Sequence, residues 1–489
     1  MVFLSHLSRA CPRRPRLANS CPGKKGFLAA LILALVSPGL PGSDFHTLQL
    51  EIAAQRDVVR DLESRFNRVD HRLLEPLLSL ARVQSEANRF DDAELTIDQA
   101  LQVVRIRDGL YTPAQYPLLE QAVDNNIRRG SWYALSQDLE HLRWLYFDQF
   151  EGSVDDQVQR LMWLSSIYQL GAFRDLPHRR VEHLKGATGV NELAARLANQ
   201  DEGMSLENRI QAMYALALQY QVEAKGILSG GEFSLSIRSH QPESGKVDRR
   251  KLALRKRYIY GLRLLKSIRD AIQIESPDDV EALIMADLGI ADWHLQFDRG
   301  EAFDHYSHIY QRMVEAGFPV DRIDTFFGRP VSLPRPTLAL NLDDALADQQ
   351  ADASEPLTLL EKSSSFPGLV EQLLPGAIPR SSSVRRFDRI GARVSLEPRS
   401  GSRHWLAGTY RTTLGTATTV EILAPADGSG EADQVPHLKK LEKNLRELHF
   451  RPVLLNGELR SSDVAIQYLV RRNEWTREIS LEGNLVGQL

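Results

Sequence analysis

Two histidines, His305 and His308, stand one helical turn apart beside Asp304, at a spacing that could offer ligands to a metal ion. Imidazole nitrogens and a carboxylate on one helix face are common zinc ligands, but a site needs further ligands from other parts of the chain. No third ligand follows at a sequence spacing that is typical of a metal-binding motif. We therefore interpret the pair as packing or surface residues and predict no bound metal.

The other histidine pairs are weaker candidates for chemistry. His178 and His183 are five residues apart, a poor spacing for one helix face, and Asp292 stands two residues before His294. The sequence has no zinc-protease, phosphate-loop or nucleophile-elbow motif, and its carboxylates are scattered over predicted helix surfaces. We predict that the protein is not an enzyme and needs no cofactor.

The composition indicates a folded chain with an uneven distribution of charge. It has 489 residues, of which 43% are hydrophobic and 25% charged, and this length predicts several globular domains. Six of the 60 basic residues and none of the 64 acidic residues lie in the first 42 positions, so the remainder carries a formal net charge of −10. A chain this acidic has no general attraction to nucleic acid or to anionic membranes.

Residues 1–42 have the order of a secretory signal peptide. Lys24 and Lys25 precede an apolar run at 27–36, and proline, glycine and serine residues follow it. The run is about half the ~20 residues that a transmembrane helix needs, so we predict export to the periplasm through a cleaved signal and no transmembrane segment in the mature chain. An uncleaved inner-membrane anchor is the alternative. Both cysteines, Cys11 and Cys21, lie in this segment, so the mature chain would have no disulfide.

Helical periodicity dominates the next part of the chain. A lead-in helix is predicted at 44–68, and further helices at 206–224, 251–274, 280–297 and 300–316. Counted from Leu74, the small residues Ala81, Ala93 and Ala100 occupy positions 8, 20 and 27, and Phe90 lies in the turn between two helices.

This spacing resembles a tetratricopeptide repeat, whose two helices cross closely where the side chains are small. A weaker copy follows after 42 residues, with Trp132 in the place of Phe90, and a third begins near Val158. Residues 44–330 are therefore predicted to form a tetratricopeptide-like helical repeat array, an α-solenoid.

Two further regions follow the helices. Residues 331–386 contain many proline, serine and aspartate residues, which predict a linker without a long regular element. From 387 to 489, strand-like alternation surrounds one short helix predicted at 436–448, which indicates a small α+β domain. The predicted fold class is thus mainly α, with a small C-terminal α+β domain.

The C-terminal region resembles the C-terminal domain of TonB-like energy transducers. The resemblance covers about residues 386–471 and rests on the corner with Phe450 and Pro452, the Asn456–Gly457 turn and the strand around Ile466. It implies a periplasmic domain that engages partners partly by strand addition. The apolar run in residues 1–42 is too short for the anchor of a transducer, so we expect binding rather than energy transduction.

The two resemblances together imply two partner-binding surfaces. In tetratricopeptide domains the first helix of each repeat lines a concave groove, and in this register the groove residues are Glu75, Leu78, Arg82, Glu86, Glu120, Asp124, Arg128, Met162 and Gln169. The sheet edge is predicted at Val464, Ile466 and Tyr468. A dense group of aromatic residues between Trp132 and Trp163 would form either the core between repeats or a peptide anchor.

The predicted function is therefore that of a protein–protein interaction adaptor whose partners are envelope proteins or peptides. Two alternatives stay open: a cell-envelope enzyme or cell-wall factor that uses the repeats as a scaffold, and a TonB-like transducer held by an uncleaved N-terminus.

Overall fold

Apolar helix faces direct the packing of this chain, and side-chain caps such as Ser153 and Asp279 mark the start of some helices. The computed structural model describes residues 43–229, 249–354, 386–397, 399, 401–406, 409–423, 442, 445–446, 448–472 and 479–481. Within these residues thirteen α-helices are present: α1 (Ser43–Arg65), α2 (Leu74–Glu86), α3 (Phe90–Asp108), α4 (Tyr116–Arg129), α5 (Trp132–Asp148), α6 (Val154–Arg174), α7 (Arg180–Gln200), α8 (Leu206–Ser229), α9 (Arg249–Glu275), α10 (Val280–Gln296), α11 (Glu301–Glu315), α12 (Val320–Phe327) and α13 (Leu342–Ser354). The predicted mainly helical fold is confirmed.

Each helix from α1 to α11 packs against the next one along the chain. The first two predicted copies begin at Leu74 and Tyr116, where α2 and α4 begin. The third predicted copy begins four residues late, because Ser153 caps α6 by accepting a hydrogen bond from the Asp156 backbone N–H at 3.1 Å.

Small side chains lie where α2 and α3 cross. Ala81, Ala93 and Ala100 are fully buried, as the close approach of two helices requires. The apolar residues of α1–α8 form one continuous core, and a second core joins α8, α9 and α10. The sequence pattern therefore identified the inward-facing positions of this region correctly.

Two helical glycines should respond to alanine in opposite directions. Gly261 in α9 lies directly against the Trp293 ring of α10, so an added methyl group would overlap that ring, whereas Gly189 in α7 has open space at the same position. We expect Gly261→Ala to lower the free energy of unfolding by about 1–3 kcal/mol through overpacking. Gly189→Ala should raise it by about 0.5–1 kcal/mol. Urea unfolding of both variants checks this, and equal effects would contradict the close crossing of α9 and α10.

The predicted linker begins with folded structure. Residues 331–333 form β1 (Val331–Leu333), and α13 follows, with Asn341 accepting a hydrogen bond from the Asp344 backbone N–H at 2.8 Å at its start. Prolines do not prevent these elements, because β1 lies between Pro330 and Pro334 and the 13 residues of α13 lie between Pro336 and Pro356. Leu333 and Leu342 are buried in a core shared with α10, α11 and α12.

The C-terminal region forms strands as predicted. They are β2 (Arg386–Leu396), β3 (Gly401–Leu406), β4 (Thr409–Leu414), β5 (Thr419–Leu423), β6 (His449–Arg451), β7 (Val453–Leu455), β8 (Glu458–Arg460), β9 (Ser462–Arg472) and β10 (Ile479–Leu481). An antiparallel sheet has the order β10–β9–β2–β5, and β7 and β8 form a hairpin. The Asn456–Gly457 turn of the β7–β8 hairpin has positive φ at both residues, as a tight hairpin turn demands.

The C-terminal strands are attached to the helices through a strand pair that the sequence did not predict. β1 pairs antiparallel with β6, placing Val331 opposite Arg451. Phe450 and Leu454 are buried, and Leu454 belongs to the same core as Phe326 and Tyr310. The two regions therefore share a hydrophobic core.

Two sequence predictions fall on parts of the chain outside the described residues, and a third concerns membrane-spanning helices. The signal peptide at 1–42 lies outside the described residues, as does most of the helix predicted at 436–448. Across the described helices, none is both long enough and apolar enough to cross a membrane.

Candidate functional site

The part of the predicted groove on α2 presents exposed charged side chains. Glu75, Arg82 and Glu86 are exposed, and Leu78 beside them is half-buried. Within the described part of the chain, none of the three charged side chains forms an ion pair. The three side chains therefore keep their charges available to a partner.

The groove residues on α4 are engaged within the protein. The Glu120 carboxylate accepts a hydrogen bond from the Tyr146 hydroxyl at 2.6 Å and pairs with Arg160 of α6. Arg128 pairs with Asp124 on the same helix at 2.9 Å. Burial is the main cause, and the Glu120 carboxylate the second, that raises the pKa of Tyr146 well above its usual value. The hydroxyl therefore remains a hydrogen-bond donor. These contacts connect α4, α5 and α6.

The groove residues on α6 face the core. Met162 is half-buried against the core of α1–α8, and Gln169 is buried, donating a hydrogen bond to the Gln219 side chain on α8 at 2.9 Å. Gln219 in turn donates to the Thr188 hydroxyl of α7. Gln169 therefore contributes to a buried polar network in this conformation, and the open part of the predicted groove lies on α2.

The predicted sheet edge belongs to β9. One backbone edge of this strand pairs with β2 along residues 462–472, with Val464 opposite Val394, Ile466 opposite Ala392 and Tyr468 opposite Ile390. On the other side β10 pairs with residues 470–472. A partner strand would therefore have to add beside β10, along the first two-thirds of β9.

The aromatic group of α5 divides between the core and the surface. Tyr146 is fully buried and packs edge-on against Tyr116 at a centroid distance of 5.0 Å, whereas Tyr133 and Phe147 are exposed. Trp144 contacts Tyr111 at 4.5 Å between ring centroids. The core interpretation therefore holds for Tyr146, while Tyr133 and Phe147 lie on the surface.

The strongest polar contact between the helices and the strands was not predicted. Arg451 of β6 donates through Nε and Nη2 to the two carboxylate oxygens of Asp292 on α10, at 3.0 and 2.6 Å. The Tyr306 hydroxyl also donates to Asp292, at 2.8 Å. Burial opposes the charge of Arg451, but the charge and hydrogen bonding of Asp292, together with Tyr306 and Tyr214, outweigh it and raise the pKa of the guanidinium.

One signal in the sequence could have indicated this pair. Asp292 lies in a helix that is buried on nearly every side, and a carboxylate in such a helix requires a cation. A small pocket of about 30 Å³ lies beside the pair and is lined in part by Tyr214 and Arg335. It has room for one or two water molecules, so it is too small for an organic substrate.

The turn between α10 and α11 is a second attachment point. The Asp298 carboxylate accepts a hydrogen bond from the Leu414 backbone N–H at 3.0 Å and lies 3.4 Å from His449 Nε2. Nearby, the Asp324 carboxylate accepts from the Tyr310 hydroxyl at 2.7 Å and from the Asn456 backbone N–H at 3.2 Å.

The histidines that the sequence raised as ligands have other contacts. His294 Nδ1 lies 3.0 Å from the Tyr258 hydroxyl, and its ring stacks on His305 at 5.1 Å between centroids. Burial lowers the pKa of His294 to about 4, so it is neutral at physiological pH. Across the residues that the structure describes, no group of three or more metal-ligating side chains is assembled.

A histidine–carboxylate pair closes the corner between α6 and α7. His183 Nε2 lies 2.7 Å from Asp175 Oδ2, and both side chains are almost completely buried. Such a pair could orient a base beside a nucleophile, but here Gly171 packs against the ring and the Asp175 carboxylate also accepts from the Leu176 backbone N–H. The arrangement stabilises the helix corner.

A cluster of acidic side chains lies between α3 and α5. Asp138 of α5 accepts a hydrogen bond from the Asn126 amide at 2.9 Å, and Asp98 and Glu94 of α3 lie near it. Burial raises the pKa of Asp138 to about 7, and the two neighbouring carboxylates add to this shift. Burial also lowers the pKa of His141 and raises that of Asp98.

A scan against protein-family models finds no match, and a search of curated proteins finds none either.

Proposed function

We propose that this protein is an exported, non-enzymatic adaptor that binds envelope proteins or peptides through a tetratricopeptide-like helical array. The observation that supports it best is the exposed charged face of α2, where Glu75, Arg82 and Glu86 have no ion-pair partner in the described part of the chain. Alternating charges on a rigid helix suit an extended peptide with charges of its own. The TonB-like C-terminal strands supply a second surface beside β9.

The attachment of the strands to the helices bears on how the two surfaces would work. Because β1, β7 and α10 share a core and β1 pairs with β6, these strands are held against the last helices. A partner bound on this side of the protein would therefore lie close to the helical array. Export rests on the basic, apolar and small-residue order of residues 1–42.

Charge reversal on α2 tests the adaptor function. We expect the full-length variant Glu75→Lys/Arg82→Glu/Glu86→Lys to lose at least tenfold in capture of its partner, because like charges then face each other across the contact. The measurement is cross-linking of the intact protein in envelope fractions, followed by identification of the captured proteins.

The matched control carries the same changes elsewhere on the surface. Lys185, Glu202 and Glu207 are exposed, and Glu202→Lys/Lys185→Glu/Glu207→Lys changes the net charge by the same amount. The control should capture what the wild type captures. Identical capture by all three proteins would mean that α2 is not a binding surface.

A further inference from the structure

The outward face of α9 combines basic and large apolar side chains. The exposed positions 252, 255, 256, 260, 263, 266, 270 and 274 fall within about 140° around the helix axis, so they share one side of the helix. The opposite face buries Leu265, Ile268 and Ile272 against α8 and α10. The exposed face therefore belongs to a helix whose position is fixed by its core contacts.

The basic residues of α9 fall into two groups. Arg257 pairs with Glu223 and Arg269 pairs with Asp287, each at 2.8 Å, and these two side chains hold neighbouring helices together. Arg255, Lys256, Arg263 and Lys266 are all exposed, and among the described residues none of the four is within ion-pair distance of a carboxylate. The exposed group thus carries positive charge that nothing in the described fold neutralises.

Large apolar side chains are interspersed with these bases. Leu252, Tyr260 and Ile274 are 44%, 42% and 79% exposed, respectively. Asp270 is the acidic residue on the same face. Leu252 and Ile274 are separated by about 33 Å along a straight helix, so the face is long enough to contact many lipid headgroups.

We propose that this face of α9, defined by Leu252, Arg255, Lys256, Tyr260, Arg263, Lys266 and Ile274, binds the surface of an anionic phospholipid bilayer. Lysine and arginine attract anionic headgroups, while leucine, isoleucine and tyrosine enter the boundary between headgroups and acyl chains. An acidic protein segment would use the bases but gives no reason for the exposed Ile274 and Leu252. The net negative charge of the remaining chain opposes general attraction, so the binding is local to α9.

This inference does not depend on the adaptor function. It gives the protein a membrane-facing side on α9, distinct from α2, and the two surfaces can be tested separately.

The test is flotation of the full-length protein with vesicles of phosphatidylglycerol and phosphatidylcholine in equal parts, and with vesicles of phosphatidylcholine alone. We expect strong binding to the anionic vesicles and only the weak apolar contribution with phosphatidylcholine alone. Each base near such a surface contributes about fivefold to binding, so Arg255→Gln/Lys256→Gln/Arg263→Gln/Lys266→Gln should weaken it by roughly 600-fold. Binding of wild type and variant to a similar extent would overturn the proposal.

A matched control separates this face from net charge. Arg60, Arg65, Arg143 and Arg460 each pair with a carboxylate on their own element, and changing all four to glutamine alters the net charge equally. This control should still float with anionic vesicles. Equal loss in both quadruple variants would overturn the assignment to α9.

The apolar contribution has its own readout. In molar salt, charge attraction is screened within ~3 Å, so the binding that remains reports apolar insertion. Leu252→Ser/Ile274→Ser should remove that remainder and keep binding at low salt. If Leu252→Ser/Ile274→Ser floats with the vesicles as well as wild type at both salt concentrations, Leu252 and Ile274 do not enter the bilayer, and the proposal that this face binds a membrane is overturned.

Discussion

Replacement of Arg451 by methionine should lower the free energy of unfolding by about 3–5 kcal/mol, because it leaves the Asp292 carboxylate buried without a cation. The two side chains are almost completely buried and make two parallel hydrogen bonds, and the one or two water molecules that fit in the pocket beside them would not replace the charge of the guanidinium. Asp292→Asn should cost a similar amount by leaving Arg451 uncompensated. Urea unfolding of each full-length variant measures the loss.

A second ion pair between the same two regions provides the control. Arg399 pairs with Asp304 of α11 at 2.7 Å, but both side chains are largely exposed. Arg399→Met should therefore cost less than about 1 kcal/mol. Equal losses for Arg399→Met and Arg451→Met would show that burial of the Asp292 pair does not determine its contribution.

The double variant distinguishes charge from packing. Asp292→Leu/Arg451→Met removes both charges and fills the site with apolar groups, so it should recover most of the stability that either single variant loses. The Tyr306 hydroxyl would lose its acceptor in that variant, and this sets the residual cost. Recovery would show that the charges of the pair contribute little net stability and that the loss in each single variant comes from the unpaired buried charge.

Local patterns predicted the helices of this protein better than its long-range contacts. Ala81, Ala93 and Ala100 are separated by at most one repeat, and their spacing sufficed to place α2 and α3 because both helices are made from neighbouring residues. β1 and β6 pair across more than a hundred residues, and no local period records such a contact. The predicted linker was assigned from its prolines, which disfavour long elements but allow a strand of three residues.

In the predicted groove, too, local sequence patterns did not predict contacts between separate helices. Sequence spacing placed Glu75 at position 2 of the first repeat and Glu120 at position 5 of the second, both in the predicted groove, and both lie on the first helix of a helix pair. The neighbouring side chains differ: Glu120 contacts Arg160 of α6 and the Tyr146 hydroxyl, whereas Glu75 has no ion-pair partner among the described residues. A repeat register predicts which face a side chain occupies, but the side chains supplied by the next helix decide whether it remains available.

Asp138 should make the stability of the helical array depend on pH. Its pKa is about 7 in the folded protein and about 3.9 in an unfolded chain, so the folded state favours the protonated carboxyl. The contribution of the Asp138 carboxyl to the free energy of unfolding is fully present below about pH 4 and is lost as the pH rises through 7. The shift corresponds to a loss of up to about 4 kcal/mol by pH 8.

The variant Asp138→Asn tests this dependence. Asparagine cannot ionise and still offers an oxygen to the Asn126 amide, so the variant should be more stable than wild type at pH 8 by about 2–4 kcal/mol and similar to it at pH 4. Urea unfolding at both pH values, with Asp98→Asn as a second variant, gives the comparison. Asp98 is also shifted upward by burial but is opposed by Arg105, so its substitution should flatten the pH dependence less. If the pH dependence is unchanged in Asp138→Asn, then another group between α3 and α5 binds the proton, and Asp138 is ionised in the folded array.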